Sequence, residues 1–349
     1  MSATAFLTHI AFACAIFLLS AALTYAMAHV VRVMDVPNER SSHARPVPKS
    51  GGLAIVVAFA AGCLVVFFFA DVARIDFRQF WGFLLFTLLL AGVSFVDDIT
   101  HHTFLVKLTT QMMCVGAVLG TGVVLSRLWL PFAGEVSLGW TGYAVTLLWM
   151  IGLTNAYNFM DGLDGLAGGV GAIAAVFLCV IALTQGSFFV YATAYALIAS
   201  VAGFLMFNFP PARIFMGDVG SAPLGFVFAT LAVIGANLDQ GHLSFFVVPL
   251  LLFQFIFDTS FTFVRRLVRG DKVHQAHRTH LYQLLNRSGY SHKSVSLFHY
   301  GVAVAQGVGA YLLVKLESGD RALVFIPFLV FNGLYAWWVL RGARARGIV

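Results

Sequence analysis

Apolar residues in this chain come in long unbroken runs, separated by short connectors that hold nearly all of its charge. Eleven runs stand out: 4–29, 52–70, 79–96, 105–125, 138–154, 168–184, 187–207, 221–237, 243–264, 296–315 and 322–340. Each approaches the roughly 20 residues that carry a helix across a bilayer. Lipid offers the backbone no hydrogen-bond partner, so such runs predict helices. The expected fold is all-α: a polytopic membrane protein of about eleven spans, forming one domain over 1–349. The short run 138–154 and a different reading of the last two leave ten as the alternative count. Residues 1–29 lack a basic leading segment and an A-x-A site, so they read as a first span rather than a cleaved signal.

Composition agrees. Of 349 residues, 60% are hydrophobic and 10% charged, against about 25% charged in soluble domains. The net charge of +6 sits in connectors and does not point to nucleic acid. Placing the N-terminus outside puts sixteen of the 21 Lys and Arg on the inner side, as the positive-inside rule requires. The inner segments are then 30–51, 97–104, 155–167, 208–220, 265–295 and the C-terminal tail. An odd number of spans puts that tail in the cytoplasm and the N-terminus in the periplasm. Cys14, Cys63, Cys114 and Cys179 all lie in apolar runs without close spacing, which argues against disulfides or a cysteine zinc site.

The same topology gathers the acids. Asp97, Asp98, Asp161, Asp164 and Asp218 all fall inside, and Asp258 lies in the inner part of its span. Asp97 and Asp98 end an apolar run side by side, an arrangement that calls for a cation, either a divalent metal or a lysine. The segment Asn155 to Gly169 is dense in glycine. If it is helical, Asn155, Asn158, Asp161 and Asp164 recur every three residues and form one polar stripe. Gly217, Asp218, Gly220 and Ser221 suit a helix start, and a carboxylate there also suits Mg2+, which takes one or two protein carboxylates and leaves the rest of its shell to phosphates and water. The basic segment 265–295 holds His277-Arg278-Thr279-His280. Without cysteine this is a poor zinc site, whereas such side chains suit phosphate or sugar hydroxyls; lipid headgroups are the alternative partner. The loop 37–52, with Ser42, His43 and Arg45, could hold a lipid phosphate or act as a tether.

Taken together, the motifs Val36 to His43, Gly51-Gly52, Asp97-Asp98, Asn155 to Gly165, Phe215 to Ser221 and His277 to His280 resemble the polyprenyl-phosphate N-acetylhexosamine-1-phosphate transferases, which include the phospho-N-acetylmuramoyl-pentapeptide transferases. Their order and spacing carry the resemblance. It implies that a UDP-N-acetylhexosamine gives sugar-1-phosphate to undecaprenyl phosphate, with Mg2+ (or Mn2+ in its place) as cofactor, at the cytoplasmic side of the bacterial inner membrane. The expected partners are that lipid, the nucleotide sugar and membrane lipid, with no nucleic acid; a homodimer is one assembly left open. The product would open a surface-glycan pathway such as O-antigen.

The pentapeptide branch has three consecutive histidines where this chain has His-Arg-Thr-His, so the expectation leans to a donor without peptide. The implied roles are metal ligation by Asp218 and Asp161, and catalysis by Asp97, Asp98, Asp218 and Lys107. Substrate binding falls to Asn155, Asn158, Asp161, Asp164, Ser42, His43, Arg45, His277, Arg278 and His280. Asp97 is cast in this family as a base, yet a phosphomonoester with a second pKa of about 6 is already largely dianionic, so positioning is an equal expectation. The rival class is a secondary transporter of an anionic solute, which would want its ionisable groups near the midplane.

Overall fold

The computed structural model describes residues 3–31, 33–37, 45–100, 104–130, 134–272 and 277–349. Thirteen α-helices occur in them: α1 (Ala3–Ala26), α2 (Gly52–Phe69), α3 (Phe77–Thr100), α4 (Phe104–Gly120), α5 (Thr141–Phe159), α6 (Leu166–Gln185), α7 (Phe188–Asn208), α8 (Asp218–Asn237), α9 (Val247–Leu251), α10 (Phe253–Val268), α11 (Leu281–Arg287), α12 (His292–Leu313) and α13 (Phe325–Ala345). Each of the eleven apolar runs lies mostly on helix. One of them, 243–264, is broken at Leu252 into α9 and α10.

Among the described residues, seven helices are long and apolar enough to cross a membrane: Ala3–Val31, Gly52–Phe69, Phe77–Thr100, Leu166–Gln185, Phe188–Asn208, Asp218–Asn237 and Gly319–Ala345. The chain is a polytopic helical membrane protein. The all-α expectation needs one small correction. Two short antiparallel pairs tie connectors together: β1 (Met34–Asp35) with β2 (Val47–Pro48), and β3 (Arg127–Leu130) with β4 (Gly134–Ser137).

The centre of the bundle is α8. Its residues are apolar or small all round, and Val219 to Gly235 are buried, as expected of a helix with no polar face. Without a hydrophobic drive between helices in lipid, close packing relies on small residues. Gly52 of α2 faces Gly220 of α8 so closely that a Cβ on Gly52 would lie 2.2 Å from the Gly220 Cα. Further along, a Cβ on Gly225 would lie 2.8 Å from the Thr154 Cα of α5. The segment before α2 continues the clamp: Phe215 N–H donates to Pro48 O (2.8 Å), Gly51 N–H to Phe215 O (2.9 Å) and Gly52 N–H to Met216 O (2.9 Å). These contacts fix where α8 begins, and α8 begins with Asp218.

Candidate active site

Residues from α3, α4, α5, α8, α10 and the segment before α11 line one cleft of about 850 Å³. Its polar lining includes Asp97, Lys107, Gln111, Asn155, Asn158, Asp161, Asp218, Arg266, His277 and His280. Its apolar lining includes Leu90, Val93, Leu148, Trp149, Leu153, Ile256 and Phe263. Four sequence segments that looked separate therefore meet at one place.

Lys107 is the junction. Its Nζ lies 2.5 Å from Asp97 Oδ2 and 2.6 Å from Asp218 Oδ2, so the cation demanded by the acidic pair is supplied by α4. Asn158 Nδ2 donates to Asp218 Oδ1 (2.9 Å) and to Ser221 Oγ (2.8 Å). Asn155 Nδ2 donates to Gln111 Oε1 (2.7 Å). Gln111 went unnoticed in the sequence, although it stands one helical turn after Lys107 and so shares its face.

The two adjacent acids do different things. Successive residues on a helix point about 100° apart, and α3 runs on to Thr100, so Asp97 and Asp98 cannot face the same way. Asp98 is 8% exposed and turns to the start of α8. It accepts from the Val219 N–H (3.2 Å), the Asp218 N–H (3.4 Å) and Ser50 Oγ (3.4 Å), with Lys49 Nζ at 3.8 Å. It thus caps α8 from another helix, answering the unpaired amides of a helix start. Gly217 lets it approach: its φ is +73°, and a Cβ there would lie 2.6 Å from Asp98 Oδ2. Lys49 is a second residue the sequence reading passed over as a site residue.

The polar stripe expected from three-residue spacing ends early. α5 stops at Phe159, and beyond it the helical period no longer applies. Asn155, Asn158 and Asp161 line the cleft. Asp164 turns away, accepting from the Ala212 N–H (3.0 Å) and standing 3.0 Å from His292 Nδ1. Burial pushes the Asp164 carboxyl up, but hydrogen bonds from His292 and the Ala212 amide outweigh it and hold it below the ordinary carboxylate value. A depressed carboxyl stabilises the fold above its unfolded pKa, near 4, and loses that contribution as pH falls through the folded value. Asp164→Asn is therefore expected to lower the thermal midpoint at pH 7 and to flatten its decline on acidification. Thermal scans of both proteins from neutral to acid pH measure this; parallel curves would contradict it.

Asp161 behaves oppositely. Burial, and then the charges of Asp218, Asp98 and Asp164, push its carboxyl up to about 8. No hydrogen bond or ion pair from the described residues reaches it. An uncompensated carboxylate beside Asp218 is what a divalent cation would relieve. Among the described residues no group of three or more His, Cys, Asp or Glu forms a ready-made cage. That donor set fits Mg2+, whose remaining positions go to substrate phosphate and water, and it fits zinc poorly.

Also in the cleft lining, the His277 and His280 rings lie 4.9 Å apart. Burial, with His280, Arg266 and Arg265 nearby, pushes His277 down to about 4. Neutral at pH 7, it suits a sugar hydroxyl, one of the two partners the sequence suggests for it, better than a phosphate. Tyr282 Oη donates to Phe159 O (2.9 Å) and packs against Gly162, where a Cβ would lie 2.2 Å from that oxygen. Arg278 is not among the cleft-lining residues, although its carbonyl accepts from Arg287 (3.1 Å). Arg45 is exposed and outside the cleft. Ser42 and His43 lie outside the described residues.

This is a membrane protein with a charged, phosphate-suited site in a partly apolar cleft. Comparison with known proteins narrows the class. The signature of glycosyl transferase family 4 matches residues 80–236. A probable undecaprenyl-phosphate N-acetylglucosaminyl 1-phosphate transferase of Bacillus subtilis is 31% identical over 307 residues, covering 88% of this chain and 84% of that protein. The decaprenyl-phosphate N-acetylglucosaminephosphotransferase of Mycobacterium tuberculosis is 27% identical over 349 residues, covering 91% and 86%. A phospho-N-acetylmuramoyl-pentapeptide-transferase of Lacticaseibacillus paracasei is 32% identical over 199 residues, covering 54% and 61%. The chain belongs to the polyprenyl-phosphate N-acetylhexosamine-1-phosphate transferase family.

Proposed function

We propose that this protein transfers N-acetylhexosamine-1-phosphate from a UDP-sugar to undecaprenyl phosphate, releasing UMP, as the first membrane step of a surface glycan such as O-antigen. The reading includes eleven spans, a periplasmic N-terminus, a cytoplasmic C-terminus and a cleft mouth open to the cytoplasm of the bacterial inner-membrane enzyme. The observation that carries it is a single cleft lined by both apolar and charged residues. Its apolar lining suits a polyprenyl chain, and its charged groups suit two phosphates that must meet.

The reaction joins an oxygen of the lipid phosphate to the β-phosphorus of the donor and breaks the bond from that phosphorus to the bridging oxygen, which leaves with UMP. Asp218 and Asp161 would hold Mg2+, or Mn2+ in its place, supplying charge neutralisation to the pyrophosphate. Lys107 draws the acceptor phosphate as a point charge and keeps Asp97 and Asp218 from repelling it. Asn158 fixes the Asp218 rotamer from the other side. Asn155, held by Gln111, lines the approach. The acceptor is already largely dianionic at neutral pH, so alignment by Lys107 and Asp97 matters more than proton removal.

The purified protein in detergent should release UMP from UDP-N-acetylglucosamine or another UDP-N-acetylhexosamine only when undecaprenyl phosphate is present. UMP release independent of the lipid would sink the proposal. So would uptake of the nucleotide sugar into liposomes lacking the lipid without any release.

A further inference from the structure

Asp258 sits on α10, completely buried, and is not among the residues lining the cleft. A buried carboxylate is costly unless hydrogen bonds surround it, and this one is surrounded. Oδ1 accepts from the Leu281 N–H (2.9 Å) and Thr262 Oγ1 (3.1 Å), and stands 3.3 Å from His280 Nδ1. Oδ2 accepts from the Tyr282 N–H (3.2 Å). The Leu281 and Tyr282 amides open α11. A helix start is ordinarily served by a Ser, Thr, Asn or Asp at the capping position. Here that position is His280, whose own N–H donates to Gln283 Oε1 (3.3 Å), while the next two amides, of Leu281 and Tyr282, are answered by Asp258 from another helix.

The consequence falls on the histidine. A ring nitrogen that faces a carboxylate carries its proton there, which settles the tautomer and the orientation of the ring. His280 lines the cleft, between Phe159 at 6.0 Å and His277 at 4.9 Å. With Nδ1 committed to Asp258, the nitrogen left for the cleft is Nε2. We propose that Asp258 is a positioning residue for the transfer reaction, holding His280 with Nδ1–H on the carboxylate so that Nε2 meets the sugar-phosphate part of the donor. This rests on the transferase reading above. Asp258 touches no substrate; it acts through His280 while it caps α11.

Two measurements separate this role from capping alone. The first needs no activity. Protein carrying 15N-histidine, at about pH 9 where imidazole is neutral, is examined by long-range 15N–1H correlation, and His280→Gln identifies the signal. The expected result is the Nδ1–H tautomer in the wild type; the Nε2–H tautomer would overturn the inference even if the protein proved to be no transferase. This result decides the matter also if Asp258→Asn does not fold.

The second is kinetic. Asp258→Asn should lower kcat/KM for the UDP-sugar roughly 10- to 100-fold, by analogy with removing the carboxylate behind a metal-bound histidine, and leave the lipid KM within about twofold. In a His280→Gln background the same change should add almost nothing. Losses that multiply, or that fall equally on both substrates, would mean that Asp258 only caps α11.

Discussion

Lys107→Met is expected to lower kcat by about a hundredfold or more, the usual effect of removing one group aimed at charge in a transition state, while the protein still folds. Two consequences add. Asp97 and Asp218, now bridged at 2.5 and 2.6 Å by one ammonium, would face each other and the incoming phosphate uncompensated. Like charges so placed disfavour ionisation, so part of the site would take up protons and lose its hold on a cation. The acceptor phosphate would also lose its point of attraction. Lys107→Arg should restore little, because the planar guanidinium is too long and too broad for a gap that one nitrogen spans. Steady-state kinetics with both substrates varied measures this. A Lys107→Met protein with near-normal kcat would show that the bridge is incidental.

Gly52→Ala should cost more than any side-chain change at the site, because it acts through backbone. The added Cβ would lie 2.2 Å from the Gly220 Cα, 2.5 Å from the Gly220 N and 2.9 Å from Met216 O. None of these atoms can rotate away. The first turn of α8 must move, and with it Asp218, its capping contact to Asp98 and its bridge to Lys107. Overpacking typically costs about 1–3 kcal/mol and sometimes more, so a lower thermal midpoint and near-complete loss of activity are expected together. Gly116→Ala is the control: nothing lies within 4 Å of its would-be Cβ, and alanine is the better helix former. A Gly52→Ala protein as stable and active as Gly116→Ala would mean that the α2–α8 contact does not set the site.

Much of this was legible in the sequence. Apolar runs forecast helices wherever a run existed, because length and hydropathy are local properties. The break at Leu252 was not visible, since α9 and α10 are both apolar. Sidedness forecast which loops converge, and Asp97, Lys107, Asn158, Asp161 and Asp218 do line one cleft. What each acid does there depends on partners far away in the chain. Asp98 was read together with its neighbour, yet its role comes from amides 120 and 121 residues on. Asp164 was read into a helical stripe that stops at Phe159, and it serves Ala212 and His292 instead. Asp258 gave only its depth, not the helix start it holds.

The most direct test of the account is transfer of radiolabel from UDP-[14C]GlcNAc to undecaprenyl phosphate by the purified protein, followed as butanol-extractable counts with Mg2+, with EDTA, and in Asp218→Asn. Lipid-linked counts should need Mg2+ and vanish in the variant, with UDP-N-acetylfucosamine and UDP-N-acetylquinovosamine replacing the donor if GlcNAc is not the sugar. Failure with every such donor, or transfer that survives both EDTA and the loss of Asp218, would contradict it.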